Sequence, residues 1–114
     1  MVYVSQELID RMAQRIVREV DPERVILFGS WARGEANEQS DVGFLVVERE
    51  PFGPNRSRRE EAVRIWECLY DFRVPKDILV YSVDEINQWQ DSDYHVIGKA
   101  LKEGKVLYSG PCWD

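Results

Sequence analysis

Residues 26–47 read Ile-Leu-Phe-Gly-Ser-Trp-Ala-Arg-Gly-Glu-Ala-Asn-Glu-Gln-Ser-Asp-Val-Gly-Phe-Leu-Val-Val. Two apolar runs, 25–28 and 42–47, flank a Gly-Ser turn and a polar loop. Short continuous apolar runs of this kind suit strands buried on both faces. Gly29 permits a tight turn and lets a ligand approach the backbone closely. Ser30 is placed to cap a short helix running to about Arg33, which Gly34 then ends. Free N–H groups beside a serine hydroxyl make an anion site, well suited to phosphate. Ser40 and Asp41 close the loop and open the second strand. The layout fits a nucleoside triphosphate and its metal.

One position interrupts that pattern. Residue 43 lies two beyond Asp41, so it shares a strand face with it. A second carboxylate there would help bridge a pair of metal ions, but the residue is Gly43.

The segments Gly29-Ser30, Ala32-Arg33-Gly34 and Ser40-Asp41, leading into Phe44-Leu45-Val46-Val47, resemble the signature of the polymerase-β superfamily of nucleotidyltransferases. The short chain is similar to the minimal (MNT) branch, whose members pair with HEPN-domain toxins. The strong motif covers about a fifth of the chain. A weaker resemblance continues through Val74-Pro75-Lys76-Asp77-Ile78-Leu79-Val80-Tyr81 and from Val96 to Tyr108. The family pattern is Gly-Ser, then Asp-x-Asp, then a third Asp on a neighbouring strand. Ser30, Asp41 and Asp77 match it and Gly43 does not. The resemblance implies an α/β (α+β) polymerase-β-like fold, a small mixed sheet backed by helices.

At 114 residues the chain is expected to form one nucleotidyltransferase domain, 1–114, with a single core. The net charge of −6 argues against a protein that holds nucleic acid by generic phosphate attraction. A small molecule or a protein suits it better as a partner. Arg33 and the cluster Arg56, Arg58, Arg59 are the candidates for local positive charge. No apolar stretch has the length of a membrane span, and residues 1–7 lack the pattern of a signal peptide. Cys68 and Cys112 are far apart with no CxxC, which reads as two reduced thiols in a cytoplasmic protein.

Elsewhere the periodicity predicts a helix over 5–20, with Leu8, Ile9, Met12, Ala13, Ile16 and Val20 on its inner face. Asp21-Pro22 stops it. Ser57-Arg58-Arg59-Glu60 fits a capping box opening a helix whose Ala62, Ile65, Trp66 and Leu69 point inward. A strand over 77–81 follows. Ser82-Val83-Asp84-Glu85 is a second capping box, for a short helix to about Gln88. A last helix spans 94–103, and 106–108 adds an edge strand. Tyr81, Tyr94 and Tyr108 read as packing residues, and His95 as a residue on a helix surface. Trp31 reads as lining the nucleotide pocket or a partner interface, and the 112–113 tail as a further aromatic anchor.

Nucleotidyl transfer attacks the α-phosphate of a triphosphate and expels pyrophosphate. It commonly uses two divalent ions about 4 Å apart. By the resemblance, Asp41 and Asp77 are the catalytic and metal (Mg²⁺) residues, and Gly29 and Ser30 meet the triphosphate. Arg33 either contacts phosphate or merely extends along the surface. Three readings of Gly43 stay open: a natural variant that binds without catalysing, a substitution introduced to trap a complex, or a site completed by Glu35 or Glu38. The resemblance implies an antitoxin that transfers AMP from ATP to a tyrosine of a HEPN partner, in a homo- or hetero-oligomer. The alternatives are a non-catalytic binding module that neutralises the partner by contact, and a small-molecule nucleotidyltransferase. The last lacks a second domain to hold its substrate.

Overall fold

The computed structural model describes residues 4–37 and 39–110. Helix α1 (Gln6–Val20) is capped by Ser5, whose hydroxyl accepts from the Leu8 N–H. It ends at Asp21, a non-glycine residue in the left-handed region (φ 47°) whose N–H donates to the Val17 carbonyl. Pro22 follows and cannot continue the helix. The chain then runs through β1 (Arg24–Phe28), the one-turn α2 (Ser30–Arg33) and β2 (Val42–Glu48). After α3 (Arg58–Cys68) come β3 (Lys76–Ser82), α4 (Val83–Trp89), α5 (Val96–Glu103) and β4 (Lys105–Ser109).

The four strands form a mixed sheet in the order β3-β2-β1-β4. β2 pairs antiparallel with β1 and parallel with β3, and β4 pairs antiparallel with β1. Every residue of β2 is buried, the apolar run 42–47 and the Glu48 that ends it alike. One face packs Val25, Leu27, Phe44, Val46 and Val80 under α1 and α3. The other packs Ile26, Leu45, Val47, Leu79 and Tyr81 under Ile86 of α4 and Ile97 and Ala100 of α5. The expected small mixed sheet backed by helices is what forms, with β3 and β4 at its edges.

Several local expectations change. Ser30 is the first residue of α2 rather than its cap; Gly29 occupies the cap position without a side-chain bond. Only the forward half of the box at Ser57 is present, its hydroxyl accepting from the Glu60 N–H. The box at Ser82 is complete. The last helix starts at Val96, because His95 turns its Nδ1 back to accept from the Ile97 N–H at 3.1 Å. His95 is therefore a half-buried cap, stacked on Trp89 with ring centroids 4.5 Å apart. Tyr94 is 95% exposed and packs on nothing. Trp66 is not core: Ile65 and Leu69 take the inner face of α3, and Trp66, one residue round, is turned outward. Cys112, Trp113 and Glu38 lie outside the described residues.

Candidate nucleotide site

The site is built where β1 ends and β2 and β3 begin. Phe28 of β1 lies opposite Gly43, and Gly43 lies opposite Asp77. These three residues therefore form one row across the sheet. Asp41, two residues before Gly43, shares its face. Gly29, Ser30, Gln39 and Asp41 join Phe28, Gly43 and Asp77 around an open cleft of about 360 Å³. Four of the five residues assigned to the site from sequence, Gly29, Ser30, Asp41 and Asp77, thus come together. Both carboxylates are exposed, as ligands for a soluble ion must be.

Gly29 is required by its conformation. Its φ of 81° and ψ of −157° belong to a region essentially confined to glycine. This backbone angle lets its carbonyl accept from the N–H groups of Ala32 and Arg33, at 3.0 and 3.2 Å. The same turn points the chain from β1 into α2, whose first N–H groups have no partner within the helix. Gly34, at φ 75°, ends α2 and returns its N–H to the Ser30 carbonyl.

Arg33 stands apart from the cleft. Its guanidinium donates to Glu103 of α5 at 2.9 Å and to Glu35 at 3.4 Å. The Glu103 carboxylate, and to a lesser degree Glu35, holds its pKa above the ordinary arginine value. Glu35 is exposed and is absent from the cleft wall. Of the basic cluster, Arg56 is bound to Glu48 and Glu61, and Arg58 to Glu85. Neither lines the cleft. Trp31 also turns away, packing half-buried against the core under α1.

Two lining residues escaped the sequence reading. Gln39 sits in the polar loop, where nothing in its spacing singles it out. Phe28 reads as strand core, yet its ring covers Gly43. A Cβ added to Gly43 would stand 2.9 Å from both Cε2 and Cζ of that ring, closer than real contacts allow. The place where a side chain of residue 43 would begin is therefore filled by an aromatic face. Among the described residues, no three His, Cys, Asp or Glu side chains are grouped to hold a metal. The donor set of Asp41 and Asp77 fits one hard cation completed by water and phosphate oxygens. It lacks the ligand that would bridge a second.

The Gly-Ser turn, Asp41 and Asp77 thus share one cleft at the end of the sheet. The nucleotidyltransferase domain family matches residues 9–109, and the chain belongs to that family. A relative from Methanocaldococcus jannaschii, provisionally named a protein adenylyltransferase, is 32% identical over 75 residues. The match covers 59% of this chain and 74% of that protein. Solved structures share the fold. One is a toxin–antitoxin complex with AMP-PNP, at TM-score 0.57 and 16% identity, covering 90% of this chain and 74% of that one. Another is a provisionally assigned nucleotidyltransferase from Sulfolobus solfataricus, at TM-score 0.57 and 19% identity, over 90% and 78% of the two chains. A third is the MNT antitoxin complexed with a tri-AMPylated HEPN toxin from Shewanella oneidensis, at TM-score 0.52 and 16% identity, over 93% and 74%. Among the described residues no helix is long and apolar enough to cross a membrane.

Proposed function

We propose that this chain is an MNT-type antitoxin that binds ATP in the 28–43 cleft and acts on a HEPN-domain partner. The reaction would join AMP to a tyrosine of that partner. The phenol oxygen bonds to the α-phosphorus, the bond from that phosphorus to the β-phosphate oxygen breaks, pyrophosphate leaves and the phenolic proton passes to solvent. Gly29 and Ser30 would receive the triphosphate on the turn's N–H groups. Asp41 and Asp77 would hold Mg²⁺, which when bound neutralises triphosphate charge. Arg33 could join the triphosphate only by leaving Glu103. The names carried by the adenylyltransferase relative and the HEPN-bound neighbour support this reading.

The observation that carries the proposal also limits the activity. Asp41, Asp77 and the Gly-Ser turn face one cleft, but Gly43 stands beneath the Phe28 ring where a second motif carboxylate belongs. On this reading the missing ligand would impair transfer and leave the binding of nucleotide and partner in place. That same observation favours a second reading, a module that neutralises its partner by contact alone. Intact-mass spectrometry of a co-expressed HEPN partner tests the pair of readings. An added AMP on a tyrosine supports transfer. An unmodified partner in a stable complex supports contact alone, and no complex overturns both.

A further inference from the structure

The far end of β2 carries a second polar site. Glu48 is the last residue of that strand, and Asp41 precedes its first. At about 3.3 Å per residue the two lie roughly 20 Å apart. A cleft of about 270 Å³ opens there between the end of α1, the end of β2 and the first turns of α3. It shares no lining residue with the nucleotide cleft. Two of the groups facing it are nearly buried carboxylates: the Glu48 side chain is 6% exposed and that of Glu61 12%. One nitrogen of Arg56, Nη2, serves both, at 2.7 Å from Glu48 Oε1 and 3.2 Å from Glu61 Oε2. The other oxygen of Glu48, Oε2, is buried and accepts from no donor among the described residues.

A buried acceptor without a donor is costly. Burial together with Glu61 pushes the Glu48 carboxyl up to about 8, so at neutral pH a proton stands where a donor is needed. The surrounding charges are also unbalanced. Arg56 reaches Glu50 as well, Arg64 holds Glu61 and Glu19, and Arg49 holds Asp21 and Glu23. Six carboxylates thus share three guanidiniums in this network. Such a balance rejects an anion and favours a cation. Glu50 and Asp21 stand exposed at the rim.

We propose that this cleft binds a small aliphatic polyamine, one ammonium donating to Glu48 Oε2 and Glu61 and a second meeting the rim acids Glu50 and Asp21. An ammonium is a compact charge that brings three N–H donors, so it supplies the missing donor and part of the missing positive charge together. Glu48 releases its proton to solvent as the ammonium takes its place. Val20 is the apolar residue of the cleft wall and suits a short methylene chain. A metal ion fits less well, because no three His, Cys, Asp or Glu side chains among the described residues are grouped to hold one. The site is independent of the nucleotide and of the protein partner.

Titration calorimetry of the native chain with spermidine tests this. Binding near neutral pH should release close to one proton, read from how the heat varies with the ionisation enthalpy of the buffer. Affinity should rise by up to about tenfold per pH unit on the approach to pH 8, as the proton becomes easier to displace. Glu48→Gln keeps the side chain's shape, and it should weaken binding at least tenfold and abolish the proton release. Glu50→Gln, at the exposed rim, should weaken spermidine several-fold and leave the weaker binding of propylamine, a monoamine, unchanged. Neither variant should alter ATP affinity, because neither residue lines the nucleotide cleft. No binding of spermidine by the native chain overturns the proposal, as does binding that survives Glu48→Gln. Propylamine binding as tightly as spermidine overturns the polyamine. A melting-temperature rise with Mg²⁺ that Glu48→Gln abolishes and Asp41→Asn does not would assign the cleft to a metal ion, and overturns it too.

Discussion

Gly29→Ala separates two things the phosphate turn must do, hold an unusual backbone and accept a ligand. A Cβ at residue 29 meets no atom within 4 Å, so packing does not oppose it. The backbone does. At φ 81° and ψ −157° an alanine is strained by about 1–3 kcal/mol. For a domain of this size that lowers the melting temperature by roughly 4 °C per kcal/mol or more. It leaves the fold intact, since domains have about 5–15 kcal/mol in hand. If the turn instead relaxes, the Gly29 carbonyl leaves the Ala32 and Arg33 N–H groups and the anion site is lost. ATP affinity should then fall about tenfold for each 1.4 kcal/mol of lost interaction. Gly34→Ala is the control: it too has positive φ, at 75°, but lies off the cleft. Thermal denaturation and calorimetry with ATP and Mg²⁺ read the two effects. Both variants should melt lower, but only Gly29→Ala, and more severely Gly29→Val, should lose ATP. Unchanged ATP affinity in a folded Gly29→Val variant would refute the assignment of the turn.

Two further outcomes follow from the charges. Mg²⁺ should raise the melting temperature by binding the folded state. Asp41→Asn or Asp77→Asn should remove most of that rise, and a response surviving in both would place the cation elsewhere. At the far end of β2, burial and the neighbouring Glu61 push the Glu48 carboxyl up to about 8, against the pull of Arg56. The folded state therefore holds a proton that the unfolded state has released, and stability declines as pH rises from about 5 through 8. The slope is at most about 1.4 kcal/mol per pH unit for this one group. Glu48→Gln should flatten that decline in urea titrations; parallel slopes for the two proteins would contradict it.

Much of this was legible in the sequence because it depends on local pattern. The apolar run 42–47 could only be a buried strand, and a Gly-Ser turn between two such runs placed the ligand end of the sheet. Asp77 could be assigned only by resemblance; its register opposite Gly43 is a parallel pairing across the α3 crossover, which no local spacing encodes. Trp66 turns outward for a related reason. Positions 62, 65, 66 and 69 all fall near one side of a helix, and which of them faces inward depends on how α3 is rotated against α1 and β3. The Phe28 ring over Gly43 and the buried Glu48–Arg56–Glu61 group are likewise contacts between separate elements. Local pattern does not decide between phosphate and surface for Arg33; it is held by Glu103, seventy residues away in sequence.

If Gly43 is what separates this site from efficient transfer, Gly43→Asp should restore it. The new carboxylate would stand about 7 Å along the strand from Asp41, close enough for both side chains to converge on ions. The Phe28 ring must swing aside to admit its Cβ, which the free end of a side chain at the cleft rim can do. The measurement is transfer of label from α-labelled ATP to the HEPN partner, by the native chain and by Gly43→Asp in parallel. Little or no transfer is expected from the native chain and a large increase from the variant. Equal and substantial transfer by both would contradict it, and so would no transfer by either while ATP remains bound.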